Sequence, residues 1–237
     1  MTSCGPPSGP QNSFSTPTVE VTEHALDLRD HWERVYREKD LTQVSWYQDR
    51  PDLSLSFVAR TGVDKTARIL DVGAGTSALV DNLLDAGYQH LGVLDVSATA
   101  IGITQRRLGD RSDDVEWFIS SVTEFESPHP WDVWHDRAVL HFLTEPEDQA
   151  SYRTRLEASV ADDGAVVVST FGPEGPERCS GLDVHRYGLV EMTECVGPDF
   201  TLDHHEIVEH ATPGGGGQQF LSCLFRRTSG SPSADFR

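Results

Sequence analysis

The sequence predicts an α/β fold, an open and mostly parallel sheet of seven strands with helices on both faces and the last strand antiparallel. Three observations carry this. Short apolar runs alternate with segments of helical period from residue 67 to 171. A glycine turn, Gly73-Ala-Gly75, separates the first apolar run from the helix that follows it. Two closing runs, 200–209 and 218–227, flank Thr212-Pro-Gly-Gly-Gly-Gly, whose glycines permit a tight reversal and hence an antiparallel pair.

Taken in order, residues 1–22 are rich in Ser, Thr, Pro and Gly and hold too little apolar surface to offset their ordering entropy, so a disordered tail is expected there. Residues 24–39 place Leu26, Leu28, Trp32, Val35 and Tyr36 at helical spacing. The loop Val44-Ser-Trp-Tyr-Gln and a second helix near 53–61 complete a helical flap over 23–62 that precedes the sheet. The predicted order then runs strand 67–72, helix 76–87, strand 90–95, helix 97–109, strands 115–120 and 131–136, helix 147–160 and strand 164–171. Helix 187–196 leads into the closing pair, and 229–237 forms a second short tail. One domain over 23–228 suffices for this length.

Composition narrows the functional classes. The formal charge is −19, and the only lysines are Lys39 and Lys65. Such a surface repels polyanions, which argues against a nucleic-acid partner, and it matches what strong salt selects. Cys4, Cys179, Cys195 and Cys223 lack metal-site or disulfide-framework spacing, so no metal and a reducing cytoplasm are expected. No run approaches the ~20 apolar residues that span a bilayer, and a monomer or homodimer without membrane attachment is expected.

The glycine turn points to a nucleoside ligand. Gly73 and Gly75 leave the backbone open to close approach, and Ala78 permits tight helix packing. Gly73-x-Gly75-x-x-Ala78 satisfies the dinucleotide fingerprint, with Asp95 about 20 residues on as a ribose carboxylate. Asp71, however, would crowd a pyrophosphate with like charge, whereas S-adenosylmethionine carries an ammonium and a sulfonium.

At these residues the chain resembles the class I S-adenosylmethionine-dependent methyltransferases, whose Rossmann-like fold carries this sheet. Ile69-Leu-Asp-Val-Gly-Ala-Gly-Thr matches their first motif and Val93-Leu-Asp-Val-Ser their second. It is most similar to a group of small bacterial and archaeal methyltransferases sharing His31-Trp-Glu-Arg-Val-Tyr, Val44-Ser-Trp-Tyr-Gln, Trp134-His-Asp-Arg-Ala-Val and Gly175-Pro-Glu-Arg-Cys-Ser-Gly-Leu. More distantly, it is similar to thiopurine, tellurite and protein-lysine methyltransferases. The resemblance implies Asp71, Gly73, Ala74 and Gly75 around the methionine part of the cofactor, and Asp95 with Val96 around ribose and adenine. Where the third strand of the family usually ends in an acid for the adenine amino group, this chain has Ser121, which offers only a hydroxyl, and Val122, which offers an apolar or backbone contact.

Methyl transfer from a sulfonium needs alignment and exclusion of water more than a catalytic residue. If the acceptor must lose a proton, His135, Asp136 and Arg137 stand at the carboxyl edge of the fourth strand, although Asp136 and Arg137 would equally serve to cap the next turn. Trp46 and Tyr47 are expected to close over the sulfonium, or else to pack as a lid. His141 and Arg178 are candidate substrate contacts, Arg178 for an anionic group; their alternatives are a packed helix residue and a surface ion pair. Cys179, with Cys195 and Cys223, would suit a thiophilic metalloid if the three met, and otherwise these are buried apolar thiols. The expectation is a methyltransferase for a small molecule. A protein-lysine methyltransferase, a nicotinamide-dependent oxidoreductase and a non-catalytic binding module are the alternatives.

Overall fold

A computed structural model describes residues 23–228. The tails expected at 1–22 and 229–237 lie outside the described residues. Seven strands form one sheet: β1 (Arg68–Val72), β2 (His90–Asp95), β3 (Val115–Ile119), β4 (Trp131–Arg137), β5 (Val160–Phe171), β8 (Phe200–Ala211) and β9 (Gly217–Arg227). Their spatial order is β3-β2-β1-β4-β5-β9-β8, with β9 antiparallel to both neighbours. The sheet therefore has the predicted arrangement.

Period-two alternation assigns each strand's side chains to two layers. Ile69, Val93, Val133 and Val167 face α2 (Asp52–Thr61), α3 (Leu79–Asp85) and α4 (Ala98–Leu108), meeting Phe57, Leu79 and Ile101. Leu70, Leu94, Trp134 and Val168 face the other way, against α5 (Pro146–Ser159) and α6 (Leu189–Val196), meeting Tyr152, Leu156 and Met192. Burial on both faces explains why the central strands read as unbroken apolar runs such as Ala165-Val-Val-Val.

Three departures from the sequence reading have local causes. Helix α3 starts at Leu79 rather than 76, because Thr76–Ala78 continue the glycine turn, with Ser77 Oγ accepting the Leu79 N–H at 3.1 Å. Strand β5 begins at Val160, directly after α5. An additional hairpin, β6 (Arg178–Cys179) and β7 (Leu182–Asp183), turns on Ser180 and Gly181, whose φ values of 51° and 87° are those of a two-residue hairpin turn.

The flap helix α1 (Glu23–Glu38) docks on the sheet domain at the start of α4. There the Glu33 carboxylate accepts the Thr99 N–H at 3.1 Å and the Thr99 hydroxyl. Burial pushes the Glu33 carboxyl up, but the hydrogen bonds from Thr99, with those from Ser97 and Ala98, outweigh it and the net shift is downward. Strand order reverses between β1 and β4, the point in open α/β sheets where ligands bind beyond the carboxyl ends.

Candidate active site

An open cleft with a cavity volume of about 140 Å³ lies at this switch point. The glycine turn and the ends of β2, β3 and β4 form its floor, and α1 with the 41–48 segment forms its roof. Both floor glycines are geometrically required. Gly73 has φ 60°, and a Cβ there would meet Val139 Cγ2 at 1.9 Å; Gly75 has φ 55°, and its Cβ would meet the Tyr36 hydroxyl at 2.1 Å.

Asp95, at the end of β2, organises the turn. Its Oδ2 accepts the Gly75 N–H at 2.7 Å and its Oδ1 the Ser97 N–H at 2.8 Å, while Ser97 Oγ caps α4 by accepting the Ala100 N–H. Burial raises the Asp95 carboxyl to about 6 against the pull of those two N–H donors, with the negative charges of Asp71 and Glu33 adding to the rise. Each oxygen still has lone-pair capacity for a ribose hydroxyl.

Asp71 and His135 are register partners on adjacent strands β1 and β4, and both are buried. Asp71 Oδ1 meets His135 Nδ1 at 2.8 Å. Asp71 Oδ2 and His135 Nε2 are buried without a hydrogen-bond partner, so the pair holds one free carboxylate oxygen and one free imidazole nitrogen. With Nδ1–H donating to the carboxylate, Nε2 is left as an acceptor.

Most of the sequence-derived site residues meet in this cleft. Asp71, Gly73, Ala74, Asp95, Val96, Ser121, Val122, Trp46, Tyr47, His135, Arg137 and Cys179 line it, and Gly75 holds the turn beneath it through Asp95. The Ser121 hydroxyl is engaged by Thr123 at 2.8 Å.

Three residues are placed elsewhere. Asp136 projects from the opposite face of β4, where its carboxylate accepts the N–H groups of Val139 and Leu140 and the Tyr152 hydroxyl. This corrects its reading as a catalytic group, because a fully buried cap below the sheet end cannot reach the cleft. His141 is also fully buried outside the cleft lining; its Nδ1 accepts the Phe171 N–H at 3.3 Å, and burial with the charge of Arg137 depresses its imidazolium to about 3. Arg178 lies outside the cleft lining, exposed on the β6–β7 hairpin, and pairs with Asp183 at 2.9 Å.

The cysteines do not gather. Cys179 packs with Phe142 and Phe220, whereas Cys195 and Cys223 lie in the main core, and no metal-binding group occurs among the described residues. Burial raises the Cys179 thiol to about 11, leaving it neutral.

Trp32, Tyr36 and Phe142 are cleft residues that the sequence reading did not single out. Trp32 packs edge-on to Trp46 (centroids 5.6 Å apart) and to Phe142 (5.2 Å). Trp32 and Tyr36 carried two signals, their place in the shared His31-Trp-Glu-Arg-Val-Tyr motif and an i, i+4 spacing that equally describes a helix packed on a core.

The described surroundings fit S-adenosylmethionine: a turn kept free of Cβ atoms, a buried acid with an orphan oxygen for an ammonium, and a second acid for a ribose diol. The methyltransferase domain family model matches residues 70–166. A zebrafish (Danio rerio) eEF1A lysine and N-terminal methyltransferase is 31% identical over 131 residues, covering 54% of this chain and 19% of that protein. The chain thus spans about a fifth of that relative's length. Among solved structures, Burkholderia thailandensis 1,6-didemethyltoxoflavin-N1-methyltransferase, with bound 1,6-didemethyltoxoflavin and S-adenosylhomocysteine, aligns with TM-score 0.66 and 21% identity over 90% of this chain and 93% of that one. The N-methyltransferase NodS from Bradyrhizobium japonicum, in complex with S-adenosylhomocysteine, aligns with TM-score 0.61 and 16% identity over 87% and 99%. Two acids and two glycines at one cleft and the switch-point sheet agree with the matched family model: residues 70–166 carry a methyltransferase domain, on the fold shared with these S-adenosylhomocysteine-bound methyltransferases.

Proposed function

We propose that this methyltransferase acts on a small-molecule acceptor held beneath the α1 roof, and that His135 receives the acceptor's proton. The observation that carries the reading is the cleft's aromatic wall, where Trp32 packs edge-on to Trp46 and Phe142 and all three rings line the cleft. S-adenosylmethionine supplies an electrophilic methyl on a sulfonium, with S-adenosylhomocysteine as the product. Asp95 would hold the nucleoside through its ribose, and Asp71, whose Oδ2 has no partner, would take the ammonium. The aromatic roof excludes water and offers ring faces to the cation. The bound cofactor would supply its methyl group to the acceptor's N or O, the C–S electron pair staying with sulfur, and His135 Nε2, which has no partner in the protein, would receive the acceptor's proton. Asp71 then stabilises the imidazolium through its bond to Nδ1.

A second reading, methylation of a protein lysine, is favoured by the curated relatives, whose names describe action on eEF1A. The test is release of S-adenosylhomocysteine from the full chain with a panel of small heterocyclic and aromatic acceptors, run beside purified eEF1A. Turnover on small molecules with none on the protein supports the proposal; the reverse pattern overturns it. His135→Asn is expected to lower kcat more than a hundredfold, while changing S-adenosylhomocysteine affinity less than threefold.

A further inference from the structure

Arg137 closes β4, and a left-handed Ala138 (φ 71°) immediately turns the chain away, leaving the arginine at the cleft wall. Its guanidinium lies over the Phe220 ring at 5.0 Å, and Nη1 donates to the Trp46 carbonyl at 3.3 Å. No carboxylate pairs with it among the described residues, although five donors need acceptors. Arg137 is half-buried in the cleft wall, where a cation without a carboxylate partner is costly to hold. Burial lowers this guanidinium only to about 10, so it remains charged at neutral pH. Asp71 is near enough for its charge to hold the guanidinium up, but its hydrogen bond goes to His135, and Cys179 stays a neutral thiol.

Its position separates it from the cofactor corner. Phe220 belongs to β9, on the far side of β5 from β1, so the guanidinium leans toward the end of the cleft where Trp32, Trp46 and Phe142 pack. We infer that Arg137 is the specificity residue for an acceptor bearing a carboxylate on a flat apolar body, its guanidinium gripping the carboxylate while the aromatic wall takes the ring. This rests on the methyltransferase reading of the same cleft. It also gives Arg137 the anion-binding role that the sequence suggested for Arg178.

The experiment measures binding of 2-naphthoate and its neutral amide to the full chain saturated with S-adenosylhomocysteine, followed by tryptophan fluorescence. Wild type is expected to prefer the carboxylate at least tenfold. Arg137→Gln should abolish the preference, Arg137→Lys should keep part of it, and both should bind S-adenosylhomocysteine within threefold of wild type. A wild type without carboxylate preference, whether or not either probe binds, overturns the inference. So does a tenfold loss of S-adenosylhomocysteine affinity in Arg137→Gln with 5′-methylthioadenosine unaffected, because Arg137 would then hold the cofactor's own carboxylate. Failure of the methyltransferase reading is seen separately, as wild type that binds no adenosyl ligand.

Discussion

Substituting Gly73 by alanine tests the nucleoside corner at its narrowest point. Two costs are expected. The residue has φ 60°, and a side chain in that region costs about 1–2 kcal/mol. In addition, the new Cβ would lie 1.9 Å from Val139 Cγ2, where carbon atoms normally sit about 3.5–4.0 Å apart, so Val139 or the turn must move by about 1.5–2 Å. Val139 packs against the main core and its N–H is held by Asp136, so the overpacking costs about 1–3 kcal/mol more. Gly62 is the internal control: its φ is 78°, but a Cβ there meets nothing within 4 Å, so Gly62→Ala carries the backbone cost alone. Urea unfolding should therefore place Gly73→Ala about 2–5 kcal/mol below wild type and Gly62→Ala about 1–2 kcal/mol below. Calorimetry should show S-adenosylhomocysteine affinity reduced at least tenfold in the first variant and unchanged in the second. Equal destabilisation by the two substitutions, with cofactor affinity intact in both, would refute the steric argument.

Five further outcomes follow from named contacts. Affinity for S-adenosylhomocysteine should fall as pH drops through about 6, by up to tenfold per unit, because the ribose hydroxyls need the ionised Asp95; titrations at about pH 5 and pH 7.5 check this. The same group has the opposite sign in the unliganded protein: its carboxyl is raised from 3.8 to about 6 by folding, so its stabilising contribution is fully present below about 4 and is lost as pH rises through 6. Asp136→Ala should cost about 3–5 kcal/mol in urea unfolding, since two N–H groups and the Tyr152 hydroxyl lose their acceptor, while turnover per folded molecule stays near wild type. Glu33→Ala should free the roof helix from Thr99 at a cost of about 1–3 kcal/mol, read as faster hydrogen exchange in α1 with the sheet unchanged. Arg178→Ala should change stability by less than about 1 kcal/mol and leave cofactor affinity unchanged, because its pair with Asp183 is exposed.

What was legible in the sequence was local. The strands announced themselves by apolar runs, and Asp71, Gly73, Gly75 and Asp95 by their places at strand ends and in a turn. The Asp71–His135 pair was not legible as a pair: the residues are 64 apart in the chain, and only the β1–β4 register sets them side by side. Asp136 was within reach of sequence reasoning, because strand alternation puts His135 and Arg137 on one face and Asp136 on the other. Its role as a cap follows from that alternation once β4 is known to end at Arg137. Trp32 and Tyr36 read as core because a helix roofing a cleft and a helix covering a core share one periodicity. The β6–β7 hairpin is only two residues per strand, too short for any periodicity, and the Ser180-Gly181 dipeptide was its sole trace.

The most direct test of the account is calorimetric titration of the full chain with S-adenosylhomocysteine and, separately, NAD, for wild type and Asp95→Ala. The account predicts micromolar binding of the adenosyl ligand, none of NAD, and at least a tenfold loss in the variant. Binding of NAD alone, or adenosyl binding indifferent to Asp95, would contradict it.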